Sequence, residues 1–70
     1  MEELGKTRSL KQARRLLEEI ALNGHWTASG RNGYAVTWSK GEEKLAIEKY
    51  DSEWVIVKHT KGEKNDAAGN

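Results

Sequence analysis

No cysteine occurs among the 70 residues of this chain. That removes disulfides and thiolate metal sites together and excludes a secreted, disulfide-framed miniprotein, so an intracellular, cytoplasmic home is expected. Long apolar runs are missing too. The longest is Trp54-Val55-Ile56-Val57, far short of the ~7–15 residues of a signal-peptide core or the ~20 of a membrane span. Neither standard export nor membrane insertion is expected. Charge of one sign is not in excess either: twelve Lys and Arg against eleven Asp and Glu leave +1, so global charge indicates no nucleic-acid partner. The length suffices for one domain with a thin core and not for two.

What is present is unevenly distributed. Lys6, Arg8, Lys11, Arg14 and Arg15, five of the twelve basic residues, fall within ten positions and precede every acid later than Glu3. Residues 1–8 carry no period and are expected to be a flexible segment. Ser9 with Gln12 has the form of a capping box, so a helix should begin there. Leu10, Ala13, Leu16, Leu17, Ile20 and Ala21 form one apolar stripe, with Lys11, Arg14, Arg15, Glu18 and Glu19 opposite and Leu22 off the stripe. Asn23-Gly24 supplies the left-handed residue that commonly ends a helix.

Beyond Gly24, β-branched and aromatic residues with turn signals at short intervals predict an antiparallel meander. Asn32-Gly33 predicts a type I′ turn joining strands 25–31 and 34–40, and Gly41-Glu42 a type II′ turn setting Lys40 opposite Glu43 and Trp38 opposite Leu45. Asp51-Ser52-Glu53 reads as a three-residue turn placing Tyr50 beside Trp54 and Ile47 beside Val57. In this register Tyr34, Val36, Trp38, Leu45, Ile47, Val55 and Val57 share a face for the helix to cover. The expected fold is α+β: one N-terminal amphipathic helix on a three- to four-stranded antiparallel meander, residues 9–60 forming the domain. Residues 61–70, with no large apolar residue, are expected to be a disordered tail.

The same register turns Trp26, Lys44, Tyr50, Trp54, Ile56 and Lys58 to the opposite face. A flat sheet presenting aromatics and lysines can stack bases and neutralise phosphates, favouring single-stranded nucleic acid. It could equally anchor a protein partner or a second copy of the chain. The helix adds a further signal, because its basic residues stand in the first turns and its acids at the end, the reverse of what the macrodipole favours. Arg8, Lys11 and Arg15 would then meet phosphate or an acidic partner, and Arg31 at the first hairpin tip is a further contact candidate.

Catalytic signals are weak. His25 and His59 are expected at strand ends on the core face, and the adjacent pairs Glu18-Glu19 and Glu42-Glu43 point apart rather than sharing a proton. Gly30-Arg31-Asn32-Gly33 has the letters of a GxxG loop but precedes a strand, and Gly5-Lys6-Thr7 lacks the upstream glycine of a phosphate-binding loop. No cofactor or metal is called for, and a non-enzymatic binding module is expected. The order of helix and strands is similar in outline to double-stranded-RNA-binding domains and to small mRNA-cleaving toxins of the HicA type. Both close with a second helix, for which residues 61–70 have no apolar period, and no motif of either stands here, so no family is assigned.

Overall fold

The structure, a computed structural model, describes residues 1–60, and the expected tail lies outside the described residues. Six elements follow one another: β1 Glu2–Thr7, α1 Leu10–Asn23, β2 Thr27–Arg31, β3 Val36–Lys40, β4 Glu43–Tyr50 and β5 Glu53–Thr60. The strands form one antiparallel sheet in the order β1-β5-β4-β3-β2. The α+β class is as expected, but the sheet has a fifth strand and the helix comes second.

That fifth strand overturns the expectation of a flexible segment at residues 1–8. β1 pairs with the far end of the chain, Glu2 opposite Lys58 and Thr7 opposite Trp54, with a bulge between Glu3 and Gly5. Leu4 packs on the core. Gly5 lets the helix approach closely, since a Cβ there would lie 2.9 Å from Leu16 Cδ2.

The helix starts where its cap residue requires. Ser9 Oγ accepts from the Gln12 amide at 3.2 Å, satisfying one of the orphan donors of the first turn. Its end differs from the expectation. Gly24 has φ −94° and it is His25, at φ +61°, that takes the left-handed position. Trp26 N then donates to Ala21 O at 2.8 Å and His25 N to Leu22 O at 3.3 Å, the paired bonds of a Schellman motif with His25 at its turn. Gly24 answers to a different need: a Cβ there would meet Trp26 Nε1 at 2.7 Å.

The three hairpins divide similarly. Gly41-Glu42 closes β3 onto β4 as expected, with Lys40 opposite Glu43, Trp38 opposite Leu45, and φ +63° at Gly41. Asn32-Gly33 does not form a type I′ turn, since neither residue has positive φ, and Arg31 pairs with Val36 across a four-residue loop. Asn32 serves there through its side chain. Its Oδ1 accepts from the Tyr34 and Ala35 amides at 2.9 and 3.0 Å, and its Nδ2 donates to Ile47 O on β4 at 2.9 Å.

The third hairpin matters most for function. Its turn is two residues, Asp51-Ser52, with Asp51 at φ +55° and Tyr50 opposite Glu53. One residue fewer in the turn slides β5 by one position, and the period-two pleat then exchanges its faces. Ile47 faces Ile56 and Lys49 faces Trp54, while Val57 stands opposite Ala46.

The helix lies on the face so defined. Ala13, Leu17 and Ala21 pack with Leu45, Ile47, Ile56 and Ala35, and Leu4, Leu10, Leu16, Ile20, Trp26, Tyr34, Trp38 and Trp54 close round them half-buried. Leu22 is 60% exposed, as its place off the stripe implied. No helix among the described residues is long and apolar enough to cross a membrane.

Candidate functional site

The outer aromatic face expected from sequence does not form. Trp54 and Ile56 turn to the helix side, Ile56 fully buried and Trp54 packed against the core. Trp26 is half-buried at the helix C-terminus, with Lys40 Nζ 5.3 Å from its ring centroid. Lys58 also lies on the helix side, where Glu2 at 3.2 Å and Glu43 at 3.4 Å pair with it. These two carboxylates, Glu2 foremost, raise the Lys58 pKa above its ordinary value. Of the residues expected on the outer face, Lys44 and Tyr50 are there and exposed. Arg31 stands exposed at the end of β2.

Glu48 also stands on the outer face, and His59, expected on the core face, is there too because of the one-residue shift of β5. Tyr50 Oη donates to Glu48 Oε1, and His59 Nε2 lies 3.0 Å from Glu48 Oε2. Glu48 is opposite Val55 and His59 opposite Lys44, two same-face pairs apart. Their link therefore passes over the intervening Ala46–Val57 pair, which is 8% and 1% exposed. The Tyr50 hydroxyl first, opposed by burial and aided by His59, holds the Glu48 carboxyl below its ordinary pKa. The same bond raises the Tyr50 pKa. A correct two-residue reading of Asp51-Ser52 would have set Lys44 opposite His59 and revealed this group.

A different set converges at the end of the molecule where the helix begins. Trp54 and Tyr34 meet edge to face, ring centroids 5.0 Å apart. Lys49, opposite Trp54 on β4, places Nζ 5.2 Å from the indole centroid, and Arg14 Nε donates to Tyr34 O at 2.8 Å. Thr7 pairs with Trp54, so Arg8 emerges beside the same strand end, lining an open depression with Asp51, Ser52 and Glu53. Lys11 is one turn before both Arg14 and Arg15 on the helix. Lys49 and Arg14 thus stand at one aromatic pair, with Arg8 at the adjoining strand end and Lys11 and Arg15 exposed on the first turns of the same helix.

Their pairing decides what they can do. Lys6 is 3.8 Å from Glu53 and Lys58 is held by two glutamates. Arg8, Lys11 and Arg15 are exposed and make no ion pair or hydrogen bond among the described residues. The first helical turn contains no acid. Of the residues that the sequence singles out, then, Arg8, Lys11 and Arg15 lie where α1 begins, and Trp54 lies beside Thr7 at the same end, in contact with Tyr34 and Lys49, while Arg14 bonds to Tyr34 O. Lys44 and Tyr50 stand on the other face, and Trp26, Lys58 and Arg31 stand apart. Among the described residues no group of His, Asp and Glu has the arrangement of a metal site. Comparison with protein-family models, curated proteins and solved structures finds no match to this chain.

Proposed function

We propose that this chain is a small non-enzymatic nucleic-acid-binding module acting in the cytoplasm, and that it binds through the basic end rather than through the outer sheet face. The observation that carries this reading is the set of three cations that pair with no described residue, Arg8, Lys11 and Arg15, at or just before the start of a helix with no acid in its first turn, with Arg14 on that helix and Lys49 on β4 beside Trp54. Cations at that end oppose the helix dipole, at roughly 0.3–1 kcal/mol each when exposed. A cost of that kind with no ion pair among the described residues to offset it is what a phosphate-binding surface leaves in the free protein. Cytoplasmic residence rests on the cysteine-free composition.

Fluorescence anisotropy with labelled nucleic acid at low salt tests the reading. Binding should weaken with salt, and replacing Arg8, Lys11 and Arg15 together by glutamine should reduce the slope of log K against log salt by about 3, from roughly 0.9 per phosphate contact. An unchanged affinity in that variant sinks the proposal.

One observation favours a protein partner instead. β2 is an edge strand whose five residues are all exposed and carry no charge before Arg31, so a strand from another chain could add to it. Its bulge between Ala28 and Gly30 counts against this, because bulges twist an edge away from further pairing. Sedimentation as a monomer, with no salt-independent association, would eliminate the second copy as that partner.

A further inference from the structure

Resting on the nucleic-acid reading, we infer that the ligand is a duplex, held by its phosphate backbone without base stacking. The inference comes from what the aromatic rings are already doing. Sequence-independent binding of single strands depends on rings whose faces are open to successive bases. Here Lys49 stands over Trp54, with Nζ 5.2 Å from its centroid, and Tyr34 meets the same indole at 5.0 Å with the planes 77° apart. Trp26 is occupied as well, by Lys40 at 5.3 Å and by the Gly24 backbone. Trp38 is half-buried in the core rim. Tyr50 is the exposed ring, and it lies on the sheet face away from the helix with its hydroxyl engaged by Glu48. The basic end therefore offers charge without a stacking platform.

Charge presented in that form suits a duplex. Lys11, Arg14 and Arg15 share one helix and Lys49 stands on a central strand of the sheet, so the backbone positions that carry the charges are set before binding. A duplex presents phosphates in equally fixed positions, at one charge per ~1.7 Å of axis. A single strand carries half that density and must be ordered on binding, with no stacking to compensate. The cations of the basic end meet phosphates and leave base edges unread, so recognition is independent of sequence, and the shared chemistry is the paired phosphodiester strands of either a DNA or an RNA duplex.

The test is a competition by anisotropy at low salt among four probes of one sequence and about 16 nucleotides or base pairs: duplex DNA, duplex RNA and the two single strands. Tryptophan emission is recorded alongside. The expected result is about tenfold tighter binding of a duplex than of its matching single strand, a salt slope near −3 to −4, and little change in tryptophan emission. The DNA and RNA arms then identify which duplex form is preferred. Single strands bound as tightly as the duplexes, with emission quenched by stacking, overturn the duplex inference and leave the binding reading standing. If no probe binds at high protein concentration, both fall. Arg8→Gln, Lys11→Gln and Arg15→Gln are exposed substitutions, and a duplex affinity indifferent to all three together also overturns the inference.

Discussion

The indole of Trp26 lies so close over Gly24 that a methyl group there would stand 2.7 Å from Nε1 and 2.8 Å from Cδ1. The residue between them, His25, carries the left-handed backbone that glycine would adopt freely. The two positions are thus in the opposite order from the one that ends most helices. Gly24→Ala should destabilise the protein by about 1–3 kcal/mol through overpacking, since an aromatic ring cannot step aside as a flexible chain end can. His25→Gly should stabilise it by about 0.5–1 kcal/mol, relief of left-handed strain exceeding the entropy glycine adds to the unfolded chain. Urea denaturation of both variants checks the pair, and equal effects of one sign would contradict the geometry.

Asn32 gives a second expectation. It bonds to three backbone groups, two within its own loop and one on β4, so Asn32→Ala leaves Ile47 O and two amides to find other partners. A loss of about 2–3 kcal/mol is expected, at roughly 1 kcal/mol net per bond. Asn32→Asp should retain the loop bonds and lose the one to Ile47 O, giving an intermediate value. Were the residue present only for turn conformation, Asn32→Gly would be neutral, and thermal unfolding of the three variants distinguishes these cases.

The third concerns pH. The Glu48 carboxyl is held below its ordinary value near 4.5, chiefly by the Tyr50 hydroxyl. A carboxyl with a lowered folded-state pKa stabilises fully above the unfolded value, and that contribution is lost as pH falls through the folded one. Wild type should therefore exceed Glu48→Gln in stability by a margin that closes as pH falls below about 4.5, and because His59 also faces the carboxylate the comparison is made in a His59→Gln background. A margin in that background that grows on acidification would mean that the carboxyl is not the acceptor shown.

These particulars also show what could be read from the chain alone. The helix was legible because its stripe, its Ser9 cap and its Leu22 exception are all local, and Gly41-Glu42 was legible because a two-residue turn with glycine first has one register. β1 was not, since its partner lies at the far end of the chain and Glu2–Thr7 has no alternation of its own. The β4–β5 turn failed on a finer point. Asp51-Ser52-Glu53 has the chemistry of either a two- or a three-residue turn, and the choice rests on Asp51 accepting φ +55°. That single position moved Trp54 and Ile56 from the outer face to the core. Of the candidate site, Arg8, Lys11 and Arg15 could be found from charge order along the helix, whereas Lys49 and Tyr34 depend on the register and on a contact across the sheet.

That register makes a sharp prediction about two aromatic residues expected to act alike. The Trp54 ring packs on the core, meets Tyr34 and supports Lys49. Trp54→Ala should therefore cost about 2–4 kcal/mol, its partial exposure keeping the loss below that of a buried tryptophan. Tyr50→Ala, at 48% exposure on the other face, should cost less than about 1 kcal/mol. Chemical denaturation compares them without any ligand, so the result does not depend on the function proposed. Equal small losses would return Trp54 to the outer face and restore the three-residue turn.

The last expectation concerns how the helix C-terminus is served. α1 has no basic residue in its final turn and ends in a segment carrying Glu18 and Glu19, so nothing local complements its negative end. Lys40, sixteen positions beyond Gly24 and on a different element, does so: Nζ donates to Gly24 O at 2.8 Å and sits over Trp26. Lys40→Met keeps most of the aliphatic stem and removes the charge, and should lower stability by about 1 kcal/mol, combining the terminal charge with the cation–π contact. Salt screens both terms, so the difference between wild type and variant should shrink between low salt and about 1 M sodium chloride. Lys40→Arg should recover much of the loss, because a guanidinium can both donate to the carbonyl and lie over the indole. If Lys40→Met differed from wild type equally at all salt concentrations, the contribution would be one of stem packing, and the helix end would be left to its Schellman bonds alone.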